Sequence, residues 1–270
     1  MEILTLWASY AALGLFAGVA AGLLGVGGGL IIVPILAALF ASQGFATQQL
    51  MQLAVGTSLA TIVFTSLSSM RAHHRHGAVN WPVMRQLSVG IALGGWLGGV
   101  LAVWLGGQLL AGLFGVFELA VAAQMAFGRP PAPHRARPGR IRNLVSGVPI
   151  GAVSALLGIG GGTLTVPYLV WHNVDIRQAV GTSAACGLPI ALVGAVGFVV
   201  VGWGQADLPA GSSGYLYWPA VIAVSVTSVL GAPMGAWLAH RLQRQRLKST
   251  FAGFLVVLGL FMVGKSLLGF

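Results

Sequence analysis

The sequence predicts an all-α polytopic membrane protein built of two inverted structural repeats, each a glycine-broken helical hairpin plus three transmembrane helices. Three observations lead there: a composition too apolar for a soluble surface, apolar stretches of bilayer-spanning length, and three blocks of sequence that occur twice in the same order. Hydrophobic residues make up 57% of the 270-residue chain and charged residues only 7%, against about 25% charged in an ordinary globular domain.

Crossing a hydrocarbon core of about 30 Å takes about 20 apolar residues in a helix. Gln49 to Met70, Trp81 to Leu105, Leu109 to Phe127, Ala179 to Gly202, Leu216 to Ala239 and Ser249 to Leu268 meet that length. Two further apolar segments, Ile3 to Ala41 and Leu144 to Trp171, are each interrupted by a glycine cluster. Met1 to Leu6 lacks the basic start of a signal peptide, so the first apolar stretch is expected to remain in the protein. Cys186 is the only cysteine; it excludes an internal disulfide and reads as a small buried filler.

The net charge of +10 is carried by short segments between spans. Arg71 and Arg75 lie with His73, His74 and His76; Arg129, Arg135, Arg137, Arg140 and Arg142 form a second cluster; Arg241, Arg244, Arg246 and Lys248 form a third. Basic residues confined to short loops follow the positive-inside bias and argue against a nucleic-acid partner.

The first repeated block runs from Ala21 through Gly25, Gly27, Gly28 and Gly29 to Val33-Pro34, and again from Ser154 through Gly158, Gly160, Gly161 and Gly162 to Val166-Pro167, without a gap. Ala54-Val55-Gly56-Thr57-Ser58 recurs as Ala179-Val180-Gly181-Thr182-Ser183, and Trp81-Pro82 with Gly94 and Gly98 as Trp218-Pro219 with Gly231 and Gly235. The chain divides into a first repeat over 1–127, an Arg/Pro-rich cytoplasmic linker over 128–143 and a second repeat over 144–270. With every basic cluster on the cytoplasmic side, the Arg71 loop corresponds to the external segment Trp203 to Tyr215, and the Gly106 to Gln108 turn to the cytoplasmic Arg241 loop. Corresponding loops on opposite sides make the repeat inverted.

These doubled motifs, glycine triplet with Val-Pro and Val-Gly-Thr-Ser in each half, resemble the sulfite exporter TauE/SafE-like family, also called the four-toluene-sulfonate uptake permeases. The resemblance covers nearly the whole chain. It implies a secondary transporter in a bacterial inner membrane that moves small sulfur-containing anions such as sulfite, thiosulfate or organosulfonates by alternating access.

Residue by residue, the glycine clusters Gly27, Gly28, Gly29 and Gly160, Gly161, Gly162 are the leading candidates for an anion site. Each precedes an expected half-helix, Leu30 to Ala41 or Thr163 to Trp171, whose free N–H groups and positive dipole end suit an anion that glycine lets come close. The competing reading is that the glycines only allow close helix packing. Thr57, Ser58, Thr182 and Ser183 offer neutral hydroxyl donors, against the alternative of bonds to their own helices or to a neighbour, and Thr163, directly after the second triplet, is a candidate with them. Pro34 and Pro167 are expected to fix bends.

Glu118 stands alone in its span, with Leu255 at the repeat position. A charge at that depth costs at least about 2.5 kcal/mol, so the group must be neutralised, paired or facing water. It is the candidate for proton coupling, with sodium as the other coupling ion; the competing reading is that it faces an oligomer interface or a polar cavity. Arg85 is expected to snorkel to lipid phosphates. Trp81, Trp104, Trp218 and Trp237 are expected as interfacial anchors, and the three histidines as a solvated basic segment rather than a metal site. Gly90, Gly94, Gly95, Gly98 and Gly99 form overlapping GxxxG faces for packing within the chain or in a homodimer.

No cofactor is expected. A membrane enzyme is the second reading, and only Glu2, Glu118, Asp175 and Asp207 are acidic, which leaves catalysis little to work with. A transporter or channel for an unrelated small solute is the third; scarce carboxylates argue against cations.

Overall fold

The computed structural model describes residues 3–24, 27–128, 138–239 and 244–269. Arg129, Arg135, Arg137, Arg241, Gly25 and Glu2 lie outside them. Ten helices appear among the described residues: α1 Ile3–Leu24, α2 Gly29–Ser42, α3 Leu50–Arg75, α4 Trp81–Trp104, α5 Gly107–Phe127, α6 Arg140–Leu156, α7 Gly162–Trp171, α8 Ile176–Gly202, α9 Trp218–Ala239 and α10 Arg244–Leu268. Seven of them are long and apolar enough to cross a membrane. A two-residue-per-strand hairpin, β1 Ser212–Ser213 paired with β2 Leu216–Tyr217, takes the end of the expected external segment and the first two residues of the expected span Leu216 to Ala239, so that α9 starts at Trp218. Gly211 and Gly214, both at positive φ, allow its turns.

α3 and α8 form the centre and run antiparallel. Gly56 meets Phe198, Leu59 meets Gly194 and Ser66 meets Gly187, so residue numbers climb on one helix as they fall on the other. α5 and α10 pair the same way, with Ser266 Oγ donating to Gln108 O at 2.8 Å and Gly115 against Val263. Around this centre α1 packs along α9, and α4 along α6. Those two contacts correspond under the sequence repeat, as do α2 on α3 and α7 on α8.

Both broken segments are hairpins that return to the end at which they start. At the mouth of α1–α2, Gln43 Nε2 donates to Tyr10 Oη at 2.7 Å; at the mouth of α6–α7, Tyr168 Oη donates to Asn143 Oδ1 at 2.8 Å. Tyr10 and Asn143 are repeat partners. The first mouth lies beside Tyr217 through Phe40, with ring centroids 5.6 Å apart. The second lies beside Gln86 at the start of α4, which accepts from Asn143 Nδ2 at 2.7 Å. The mouths therefore sit at opposite ends of the α3–α8 pair, below called the hairpin face and the Arg71 face.

α1, with 22 residues, is long enough to cross by itself, as the length of Ile3 to Leu24 already allowed. Two expectations change. α3 continues to Arg75, so Arg71, His73, His74 and Arg75 are helical rather than in a loop; basic residues in a last turn are favoured by the helix dipole. α6 begins at Arg140, inside the expected linker. The glycine faces are used within the chain: Gly90, Gly94 and Gly98 abut backbone carbonyls of α6, and Gly231 and Gly235 those of α1. They give a homodimer no support.

Outward-facing residues also repeat. Val89, Leu93 and Leu97 on α4 and their partners Val226, Leu230 and Met234 on α9 are all exposed, spaced at one helical turn as a lipid-facing stripe requires. Trp104, Trp218 and Trp237 are exposed near helix ends, where indole rings favour the membrane interface.

Candidate functional site

The two glycine breaks touch. A Cβ on Gly27 would lie 2.6 Å from the Cα of Gly160, and these are repeat partners. Equivalent positions of the two sequence repeats are thus in contact. Gly27 and Gly28 adopt φ of 83° and 78°, a left-handed conformation that glycine takes without strain. Gly29 packs on Gly158 and Ile159 of the other break. α2 and α7 both begin at this crossing, so their first N–H groups, which lack intrahelical partners, are presented there.

Beside the crossing, toward the Arg71 face, is a cavity of about 20 Å³ lined by Ala21, Gly27, Ile62, Thr65, Ser66, Ser69, Gly161, Gly162, Ser183, Ala184 and Gly187. A water needs about 10–15 Å³, so the cavity accommodates a water and nothing much larger. Among the described residues none of those lining it is ionisable. Thr65 and Ser228 share a 2.6 Å hydroxyl–hydroxyl bond, Ser66 Oγ donates to Val63 O at 3.2 Å and Ser183 Oγ to Val180 O at 3.0 Å.

The expected hydroxyls divide. Ser183 lines the cavity. Thr57 and Thr182 do not: Thr57 Oγ1 accepts from Tyr217 N at 3.0 Å and Thr182 Oγ1 from Asn80 N at 2.9 Å. Asn80 and Tyr217 each precede the repeated Trp-Pro, so these threonines are matching pins that hold the starts of α4 and α9. Ser58 Oγ donates to Gly158 O at 2.9 Å and braces the second break. Thr163 and Thr165, at the start of α7, are buried with hydroxyls that have no hydrogen-bond partner among the described residues.

Thr65, Ser66 and Ser69 were missed by the search for repeated motifs, because their partners in the second half are Ile190, Ala191 and Gly194. The signal available was a dense hydroxyl run, Thr65-Ser66-Leu67-Ser68-Ser69, inside an apolar span. Glu118 is fully buried in α5, and neither carboxyl oxygen has a hydrogen-bond partner among the described residues. Among the described residues no three His, Cys, Asp or Glu gather as a metal site needs; His74 Nδ1 accepts from the Trp81 indole at 3.3 Å.

On the hairpin face the crossing is covered. Tyr217, Phe40 and Phe45 form an aromatic cluster with centroids 5.2–5.6 Å apart, and the backbone of Tyr215 rests on Gly56. Burial pushes the phenols of Tyr215 and Tyr217 above their ordinary range, which keeps this cover uncharged.

A family model described as Sulfite exporter TauE/SafE matches residues 10–262. A probable membrane transporter protein of Haemophilus influenzae is 36% identical over 93% of this chain and 96% of its own length. One of Methanocaldococcus jannaschii is 26% identical over 93% and 92%, and YunE of Bacillus subtilis, also described as a probable membrane transporter protein, 26% over 92% and 93%. No solved structure matches the chain. With its helices of membrane-crossing length and this similarity from end to end, the chain is a multi-pass membrane transporter and belongs to the sulfite exporter TauE/SafE family.

Proposed function

We propose that the protein is a secondary transporter for small sulfur-containing anions, sulfite, thiosulfate or an organosulfonate, and that it binds them where the two glycine breaks cross. The observation that carries this is the contact of Gly27 with Gly160 beside a cavity whose polar groups are hydroxyls and helix-start amides. Such donors match the oxygens of an oxyanion, and the absence of a lining cation lets the anion leave again.

The reading treats the halves as inverted repeats that alternate access. It is supported by the antiparallel pairing of the equivalent helices α3 and α8 and by hairpin mouths at opposite faces. The basic Arg71 face is then cytoplasmic. The cavity holds a water's volume, so the anion enters only when the crossing widens; the structure corresponds to a contracted state. Glu118, buried and without a hydrogen-bond partner among the described residues, is the proposed carrier of a coupling proton.

The test is flux in liposomes containing the purified protein, comparing sulfite, thiosulfate and a small sulfonate with chloride and sulfate. Uptake or efflux of a sulfur anion above protein-free liposomes is expected. If none moves, the substrate assignment fails.

A further inference from the structure

The cavity lies on one side of the crossing only. We propose that its repeat-related counterpart, on the hairpin side, is a second station for the same class of small oxyanion, built on the hydroxyls of Ser154 and Ser58 and shut in this structure by Leu59. This rests on the transport reading above.

The cavity residues Ala21, Gly27, Ser183 and Ala184 correspond to Ser154, Gly160, Ser58 and Leu59. Two of these exchanges matter. Where Ala184 leaves space, Leu59 fills it: its δ carbons lie 2.9 and 3.4 Å from where a Cβ on Gly194 would be, with the Ala155 Cβ at 3.3 Å. Where Ala21 offers a methyl group, Ser154 offers a hydroxyl that is 0% exposed and has no hydrogen-bond partner among the described residues. A hydroxyl buried without a partner is unfavourable, and native structures keep few. A second conformation that brings it a ligand accounts for it.

Ser58 Oγ is held by Gly158 O at 2.9 Å, a carbonyl of the second break. Movement of that break frees the hydroxyl, just as withdrawal of Leu59 from Gly194 vacates space beside it. Gly160, Gly187 and Gly194 bring no side chain into the volume, and neither carboxylate nor ammonium is among the corresponding residues. Donors without acceptors of charge select a small oxyanion. Thr65, Ser66 and Ser69 are replaced there by Ile190, Ala191 and Gly194, so the second station has fewer donors and holds the anion more weakly.

The experiment places single cysteines by Ser69→Cys and Ser154→Cys in a Cys186→Ala background, the native thiol being wholly buried. The full transporter is labelled with a membrane-impermeant thiol reagent in right-side-out and inside-out vesicles, after each variant is shown to melt cooperatively. Ser69→Cys is expected to react from the Arg71 face and Ser154→Cys from the hairpin face. Leu59→Ala should speed the latter several-fold, and saturating thiosulfate should slow both. If Leu59→Ala does not fold, Leu59→Val is read for the same acceleration. The proposal is overturned if Ser154→Cys reacts only from the Arg71 face, or stays inert with the shortened Leu59 while Ser69→Cys reacts. If a sulfur anion moves but thiosulfate protects Ser69→Cys and not Ser154→Cys, the second station is overturned and the transport reading stands; if no sulfur anion moves and thiosulfate protects neither, the transport reading fails and the second station with it.

Discussion

Substituting Gly27 by alanine tests whether the two breaks are locked together. Gly27 has φ of 83°, and an added Cβ would meet the Cα of Gly160 at 2.6 Å. The left-handed conformation costs an L-residue about 1–2 kcal/mol. Carbon atoms are in best contact at about 3.5–4.0 Å, so the approach is short by about 1 Å against backbone that has no rotamer with which to yield. Overpacking of this kind costs about 1–3 kcal/mol. Together the two terms give about 2–5 kcal/mol, roughly a 30-fold to several-thousand-fold loss for the contracted state. At about 2–4 °C per kcal/mol the melting temperature of the purified protein should fall by roughly 4–20 °C, and flux in liposomes should fall with it. Gly95→Ala is the control, because a Cβ there meets nothing nearer than 3.8 Å and should change neither measurement. A Gly27→Ala protein that melts and transports like the parent would refute the locked crossing, and with it the site built on that contact.

Three further outcomes are expected. Thr57→Val and Thr182→Val each strand a half-buried amide, of Tyr217 or Asn80, at up to about 1–3 kcal/mol, the cost for a fully buried one; both should lower the melting temperature by similar amounts, and Thr→Ser should restore it. Ser66→Ala and Ser69→Ala should raise the KM for the transported anion about 2- to 10-fold, the worth of one hydrogen bond each, with thermal stability unchanged. Glu118→Gln keeps the shape and removes the ionisable proton; it should leave the melting temperature intact while flux stops responding to an imposed pH gradient.

The membrane-crossing helices were legible because burial in lipid leaves a plain length-and-polarity signature. Helix starts within the breaks were legible for a similar reason, since Gly27 to Gly29 and Gly160 to Gly162 mark places where ordinary residues would be strained or crowded. Contacts between distant elements were not legible. Nothing in Thr57 or Thr182 distinguishes a ligand hydroxyl from an acceptor for a loop amide, because the partner lies well over a hundred residues away in one case and about a hundred in the other. The recurrence of those threonines in both halves accompanies a matching pair of loop contacts, Thr57 with Tyr217 and Thr182 with Asn80. The hydroxyls of Thr65, Ser66 and Ser69 at the cavity occur once, with Ile190, Ala191 and Gly194 at the repeat positions, so no repeated motif marked them.

Among the described residues the lining of the cavity is free of histidine, lysine, arginine, aspartate and glutamate, which has a bearing on acidity. For an anion bound there as proposed, that lining adds no titration of its own, and binding varies with pH only through the solute and the proposed proton on Glu118. In a Glu118→Gln protein two anions of one shape but unequal acid strength should bind with midpoints displaced by the difference in their own ionisation.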